Sequence, residues 1–166
     1  HTWTLTNSPA GFVGAGCMSS DPNSGAGVDT GYVTGSPRLD FRILFSTTGT
    51  HTVWVRGRAL TAPALGNNDS CHTGLNNTAV ASADRLSGWG DAWTWRSNTM
   101  DGAKATIEVT TTGVHTVNLW MREDGFLADR ILVTSNAAYT GVSEGGTMTG
   151  PAESPQIAVT LPGTPT

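Results

Sequence analysis

The sequence predicts an all-β fold, and three observations predict it. The 166 residues hold 26 threonines and 21 glycines. Threonine's branched side chain packs well on a pleated sheet, while glycine punctuates turns. Segments such as LDFRILF alternate apolar and polar residues with the two-residue period of a half-buried strand. No window carries a helical period, and the Ala- and Leu-rich stretches that favour helices are missing.

The elements follow in order. WTLTN (3–7) and FVGAG (12–16) are weaker strand candidates. LDFRILF (39–45) puts Leu39, Phe41, Ile43 and Phe45 on one face. HTVWVRG (51–57) sets Val53 and Val55 against Trp54 and Arg56. SCHTGL (70–75), AVASA (79–83) and AWTWR (92–96) are again weaker. ATIEVT (105–110) is a strong strand. HTVNLWMR (115–122) sets Val117, Leu119 and Met121 against Asn118, Trp120 and Arg122, and DRILVT (129–134) ends the set. Roughly ten short strands with Gly, Asn and Asp between them have the spacing of a sandwich or barrel. STTGTHTVWVR (46–56) and TTTGVHTVNLWMR (110–122) share TTG, a one-residue gap and HTV. We read this echo as two hairpin arms entered by the same turn, with Gly49 and Gly113 at positive φ.

A mass of 17.2 kDa suits one domain, large enough for a core without a staple. The globular part is placed at 1–136. Residues 137–166 hold four of the eight prolines and read as an extended Pro/Thr/Gly linker or tail, in which only IAVTL offers a strand. Such a linker implies a neighbouring domain on the parent chain. No basic-then-apolar leader opens the sequence, and His1 is not a natural start, so the chain is expected to be processed or cut from something larger.

The formal charge of −4 argues against nucleic acid, which needs a basic stripe, and against an acidic membrane surface. No 18-residue apolar run is present to span a bilayer. Cys17 and Cys71 lack metal or redox spacing; they either form a disulfide or act as two buried thiols. P-loop, HExxH and GxSxG motifs are absent, and GAGVDTG lacks a strand-to-helix context, so it is a loop.

What remains is a dosing of aromatic and polar residues in loops. SGWGDAWTWRSN (87–98) holds three of the six tryptophans, LGNNDSCH (65–72) clusters amides with Asp69 and His72, and MREDGF (121–126) clusters Arg122, Glu123 and Asp124. Sugars are bound by this combination: an aromatic face packs on the apolar face of a pyranose while amides, carboxylates and arginines bond its hydroxyls.

On these residues the sequence resembles a known group. SGAGVDTGYVTGSPRLDFRI (24–43), TTGTHTVWVRGRA (47–59), and WTW followed by TTTGVHTVNLWMREDGFLADRILV (110–133) are similar, in order and spacing, to motifs of family 6 and family 35 carbohydrate-binding modules. The resemblance covers residues 24–134. It implies a jelly-roll β-sandwich of two antiparallel sheets, galactose-binding-like, that binds polysaccharide as an appendage of a secreted carbohydrate-active enzyme. Tyr32 matches one aromatic wall of the family's sugar cleft, and Trp93 or Trp89 the opposing tryptophan. Asp129 matches an aspartate that often binds a structural calcium. Two departures stand out: Leu127 replaces the family's asparagine, and the opening Glu-Ala-Glu that completes the calcium site is not found.

The expected site is one end of the sandwich, where loops 15–38, 65–70, 87–93 and 121–126 meet. Tyr32, Trp89 and Trp93 supply stacking surface there; Asn67, Asn68, Asp69, Glu123 and Asp124 supply hydrogen bonds. Trp54, Trp95 and Trp120 are read as packed. Arg56 and Arg122 are read as ion-paired with Asp69, Glu123 or Asp124, and His72 as satisfying a local hydrogen bond. The expected function is a non-catalytic, monomeric, extracellular module that brings a catalytic domain of the same parent chain to a neutral polysaccharide, a galactan such as agarose or a xylan. Two alternatives stay open. One is a small lyase or glycoside hydrolase, which needs two carboxylates about 5–9.5 Å apart across the scissile bond. The other is a structural or adhesive sandwich without a sugar ligand, which expects the loop tryptophans to be buried.

Overall fold

The alternation along LDFRILF and HTVNLWM becomes two neighbouring strands, the spine of one of two sheets. A computed structural model describes residues 1–60 and 66–157. In chain order the strands are β1 (Thr2–Thr6), β2 (Cys17–Asp21), β3 (Arg38–Phe45), β4 (Gly49–Ala59), β5 (Ser70–Leu75), β6 (Thr78–Ala79), β7 (Leu86–Ser87), β8 (Thr94–Arg96), β9 (Thr106–Val109), β10 (Gly113–Met121) and β11 (Phe126–Thr134). One helical turn, α1 (Tyr32–Gly35), and a 3-10 turn at Ala81–Ala83 interrupt them. Among the described residues no helix is long and apolar enough to cross a membrane.

The first sheet runs β1–β2–β11–β4–β8, with β9 also beside β4; the second runs β3–β10–β5–β6, with β7 also beside β5. Every pairing is antiparallel. The two sheets face each other as a β-sandwich, as the sequence predicts. Phe41 lies opposite Val117 and Leu39 opposite Leu119, so their side chains enter the core together. Val53 and Val55 meet them from β4, with Ile131 and Val133 beside them on β11.

A β-bulge at Asp129 makes that core possible. Phe126 and Ala128 face inward before it, and Ile131 and Val133 face inward after it. Strict period-two alternation would have turned Arg130 and Leu132 into the core instead. The TTG-x-HTV echo does enter two strands in the same way: Gly49 (φ 106°) opens β4 and Gly113 (φ 126°) opens β10. The two echo histidines, His51 and His115, then hold Phe45 edge-on between their rings.

The structure corrects three expectations. FVGAG is a turn, and the strand is the following CMSSD. AVASA splits into the end of β6 and the 3-10 turn. The stretch from Ala137 does not all trail away: residues 139–151 pack on the outer face of the first sheet. Val142 is buried with Trp54 and Trp95. Trp95 exchanges backbone hydrogen bonds with Gly145 and Gly146 and donates its indole N–H to Met148 O. Arg130 donates to Thr149 O and Pro151 O. Of IAVTL, Ile157 is not in a strand and 158–161 lie outside the described residues.

Cys17 and Cys71 are free and buried. Cys17 sits with Trp93 and Leu127 on the outer face of the first sheet, while Cys71 lies in the core between the sheets, so the disulfide alternative is not what forms. Burial pushes the Cys17 thiol up to about 11 and the Cys71 thiol higher still.

Candidate functional site

Three chain segments meet at one end of the sandwich: residues 23–29, residues 66–70, and the turn Arg122–Gly125 that joins β10 to β11. Backbone bonds knit them together. Val28 N donates to Arg122 O at 2.7 Å, Asp124 N to Ala26 O at 3.0 Å, and Glu123 N to Ser70 O at 3.4 Å. Between them lies a cleft of about 280 Å³, lined by Gly25, Gly27, Val28, Asp29, Asn67, Arg122 and Glu123. Its lining comes from three of the four loops chosen from the sequence, 15–38, 65–70 and 121–126, and not from 87–93.

Asp124 is the anchor of the cleft and not its lining. Its carboxylate is fully buried and accepts bonds from Ser24 N (2.7 Å), Ser24 Oγ (2.6 Å), Gly25 N (2.9 Å) and Ala26 N (3.1 Å). Burial alone would raise its pKa, but these donors outweigh that and hold the carboxyl below its ordinary range. His72 supports the next stretch. Its Nε2 donates to Val28 O at 2.8 Å and its Nδ1 accepts from Arg85 N at 3.2 Å, which fixes the neutral tautomer. Burial lowers its pKa, in keeping with that form.

Arg122 and Glu123 form the polar wall. Arg122 Nε donates to Asp29 Oδ1 at 2.8 Å, and Nη1 donates to Glu123 Oε1 at 2.8 Å and Ser70 Oγ at 2.7 Å. Glu123 Oε2 accepts from Asp69 N at 3.0 Å and Ser70 Oγ at 2.6 Å. The Asp69 side chain is hydrogen-bonded to Glu123, and the Gly88 amide donates to it. Burial, then the charge and hydrogen bond of Glu123, push the Asp69 carboxyl up to about 6.

The predicted residues therefore divide. Asn67 and Glu123 line the cleft, and Asp69 stands behind Glu123. Asn68 is buried and turns inward, its Nδ2 donating to Leu60 O. Trp89 is 2% exposed; its ring lies 4.7 Å from that of Phe126 in the core, and its N–H donates to Thr94 O. Trp93 is buried against Cys17 and Leu127, with its N–H on Ala10 O. Tyr32 is also buried, stacked on His72 at 3.7 Å and edge-on to Trp120. None of the three expected stacking rings faces the cleft. Trp54, Trp95 and Trp120 are buried, as read.

Asp129 is corrected as a calcium ligand. Its carboxylate pairs with Arg56 Nη1 and accepts from Val13 N at 3.0 Å, and both charged side chains are sealed from water. A guanidinium occupies the place where a cation would sit, so these residues do not fit calcium. Among the described residues no group of three or more His, Cys, Asp or Glu is arranged to hold a metal. Arg56 is thus ion-paired, with Asp129 in place of the partners expected for it.

Sequence reasoning missed Asp29, Gly25, Gly27 and Val28 as cleft residues. GAGVDTG was read as a loop, but nothing local marked it as the loop that Asp124 gathers.

Fold and cleft define a β-sandwich domain with a polar depression at its loop end. The chain belongs to the glycosyl hydrolase family 115 C-terminal domain family, whose model matches residues 2–153. The matching family model is not specifically that of family 6 or 35 carbohydrate-binding modules, and the resemblance to them holds at the level of the fold. A GH26-CBM35 β-(1,4)-mannanase from Podospora anserina shares the fold with a TM-score of 0.57 at 21% identity, over 83% of this chain and 26% of its own. The chain is also 34% identical over 122 residues to an uncharacterized protein, P23, of Formosa agariphila. That match covers 67% of this chain but 28% of the relative.

Proposed function

We propose that this chain is a non-catalytic carbohydrate-binding domain that holds a secreted glycoside hydrolase, on the same parent chain, against a neutral polysaccharide. The observation that carries the reading is the loop-end cleft, where Asn67, Arg122, Glu123 and Asp29 bring amide, guanidinium and carboxylate groups to one depression. Such groups are what a sugar's hydroxyls need on both the donor and the acceptor side. The family and the shared fold support an appended, sugar-related role. A galactan or a xylan is the polymer class we favour. With no aromatic ring in the cleft lining among the described residues, recognition rests on hydrogen bonds.

A glycosidase reading is disfavoured by Asp69 and Glu123. The two are close neighbours: Asp69 N donates to Glu123 Oε2 at 3.0 Å, and the Glu123 charge helps to raise the Asp69 carboxyl. Hydrolysis needs them about 5–9.5 Å apart with the scissile bond between them. The burial of Trp89 and Trp93 favours a second reading, a structural sandwich without a sugar ligand.

A glycan-array screen of the domain, beside an assay for released reducing ends, separates these readings. We expect binding to a neutral glycan, lost in Asn67→Ala, with no reducing ends released. Turnover abolished by Glu123→Gln would establish an enzyme. A blank array would leave the structural sandwich.

A further inference from the structure

The GAGVDTG loop places an exposed carboxylate on Arg122, the one cation that lines the cleft among the described residues. We propose that Asp29 sets the specificity of the cleft, masking Arg122 so that neutral sugars enter and uronates are turned away. This rests on the cleft being a saccharide site, and it names the class of saccharide.

The charge pattern carries the argument. Arg122 has five N–H donors. Nε is taken by Asp29, and Nη1 by Glu123 and Ser70. Among the described residues the Nη2 donors have no partner, so they can meet a ligand hydroxyl. The positive charge, however, is matched twice, by Asp29 at 2.8 Å and by Glu123 at 2.8 Å. Asp69 adds a third acidic group directly behind Glu123. A hydroxyl can donate to these carboxylates and accept from Nη2 at no charge penalty. A ligand carboxylate brings like charge to the same place, and that repulsion is a device for rejecting a competitor.

Asp29 is the adjustable part of this arrangement. Glu123 is pinned by bonds from Asp69 N, Ser70 Oγ and Arg122 Nη1, whereas the Asp29 side chain is 65% exposed and pairs with Arg122. Removing its charge leaves the Arg122 guanidinium less fully neutralised at the cleft without opening a core cavity. The same exposure makes the effect sensitive to salt.

The test is an amide NMR titration of this chain with methyl glucoside, xyloside and galactoside, and with methyl glucuronide and galacturonide. In wild type we expect the neutral glycosides to shift Gly25, Gly27 and Asn67, and the uronides to leave them in place. Asp29→Asn should melt with wild type and bind the uronides at least about tenfold more tightly than wild type does, a gain that raised salt removes. Asp29→Glu, which keeps the charge, should still reject them. Wild type binding a uronide as well as its neutral counterpart would overturn the proposal, as would an Asp29→Asn variant that gains no uronide affinity. If no glycoside, neutral or acidic, shifts the cleft in either protein, the saccharide reading falls and the proposal falls with it. If neutral glycosides bind and the variant gains nothing, masking falls and the saccharide reading stands.

Discussion

Asp124 and Ser24 are 100 residues apart in the chain, yet one carboxylate oxygen of Asp124 accepts both the backbone N–H and the hydroxyl of Ser24. With Gly25 N and Ala26 N on the other oxygen, a single buried anion orders the glycine-rich wall of the cleft. Asp124→Asn presents an NH₂ group to donors that want an acceptor. The variant should lose about 1–3 kcal/mol, as expected when charge-assisted bonds to a buried group are broken. Amide exchange should accelerate at Gly25 and Ala26 ahead of the strands. Unchanged protection there would show that the loop holds itself.

Arg56 and Asp129 make a second, stiffer contact. The Arg56 side chain is 3% exposed and also bonds Gly11 O through both terminal nitrogens. Removing one partner leaves a buried charge alone, so Asp129→Ala should cost about 3–5 kcal/mol in a denaturant melt. Since the pair fills its own site, adding calcium or a chelator should leave the wild-type melt where it is. A calcium-dependent rise that Asp129→Ala abolishes would restore the metal reading.

The strands were legible because each obeys a period of two over a half-buried face. β3, β4 and β10 lie where LDFRILF, HTVWVRG and HTVNLWM put them. The bulge at Asp129 was not legible, because one extra residue changes parity without a compositional mark. Trp89 sits between Gly88 and Gly90, which reads as an exposed loop. The loop instead folds its indole over Phe126, and Thr94 O satisfies the N–H. Residues 139–151 looked like linker because their docking uses backbone groups and few apolar side chains, chiefly Tyr139 and Val142. Glu123 and Asp124, adjacent in sequence, have opposite fates, one lining the cleft and one buried beneath its wall. Only the arrangement of the three loops decides that.

The tryptophans give a clean contrast with the cleft. Trp89→Ala and Trp95→Ala each remove a ring buried in a packed cluster and should cost about 3–5 kcal/mol. Asn67→Ala removes an exposed side chain at the cleft and should leave the melt within about 0.5 kcal/mol of wild type. Thermal melts of the three variants decide it. A Trp89→Ala protein as stable as wild type would return that ring to the surface.

Cys17 and Cys71 should react slowly while the protein is folded, since a thiol whose pKa is raised yields little thiolate. A thiol titration after denaturation without reductant should find both. Finding none would mean a bridge, and with it a different placement of β2 against β5.

Asp69 makes stability depend on pH in an unusual direction for an acid. Its carboxyl is pushed from 3.8 up to about 6 in the folded protein, by burial first and by Glu123 second, with Arg122 and the Gly88 amide pulling the other way. The folded state therefore holds this proton more tightly than the unfolded chain does. The contribution to stability is complete below the unfolded pKa and is lost as pH rises through about 6. Asp124 has the opposite sign: its lowered pKa gives stability above the ordinary carboxyl range that disappears as pH falls through its folded value. Denaturant melts from pH about 4 to about 7 should thus show wild type losing ground against Asp69→Asn, which keeps a neutral hydrogen-bonding side chain at every pH. The difference between the two proteins should level off above pH about 7, where Asp69 is ionised in both states. Parallel stability curves for the two proteins would mean that the folded state does not hold a proton on Asp69 more tightly than the unfolded chain does.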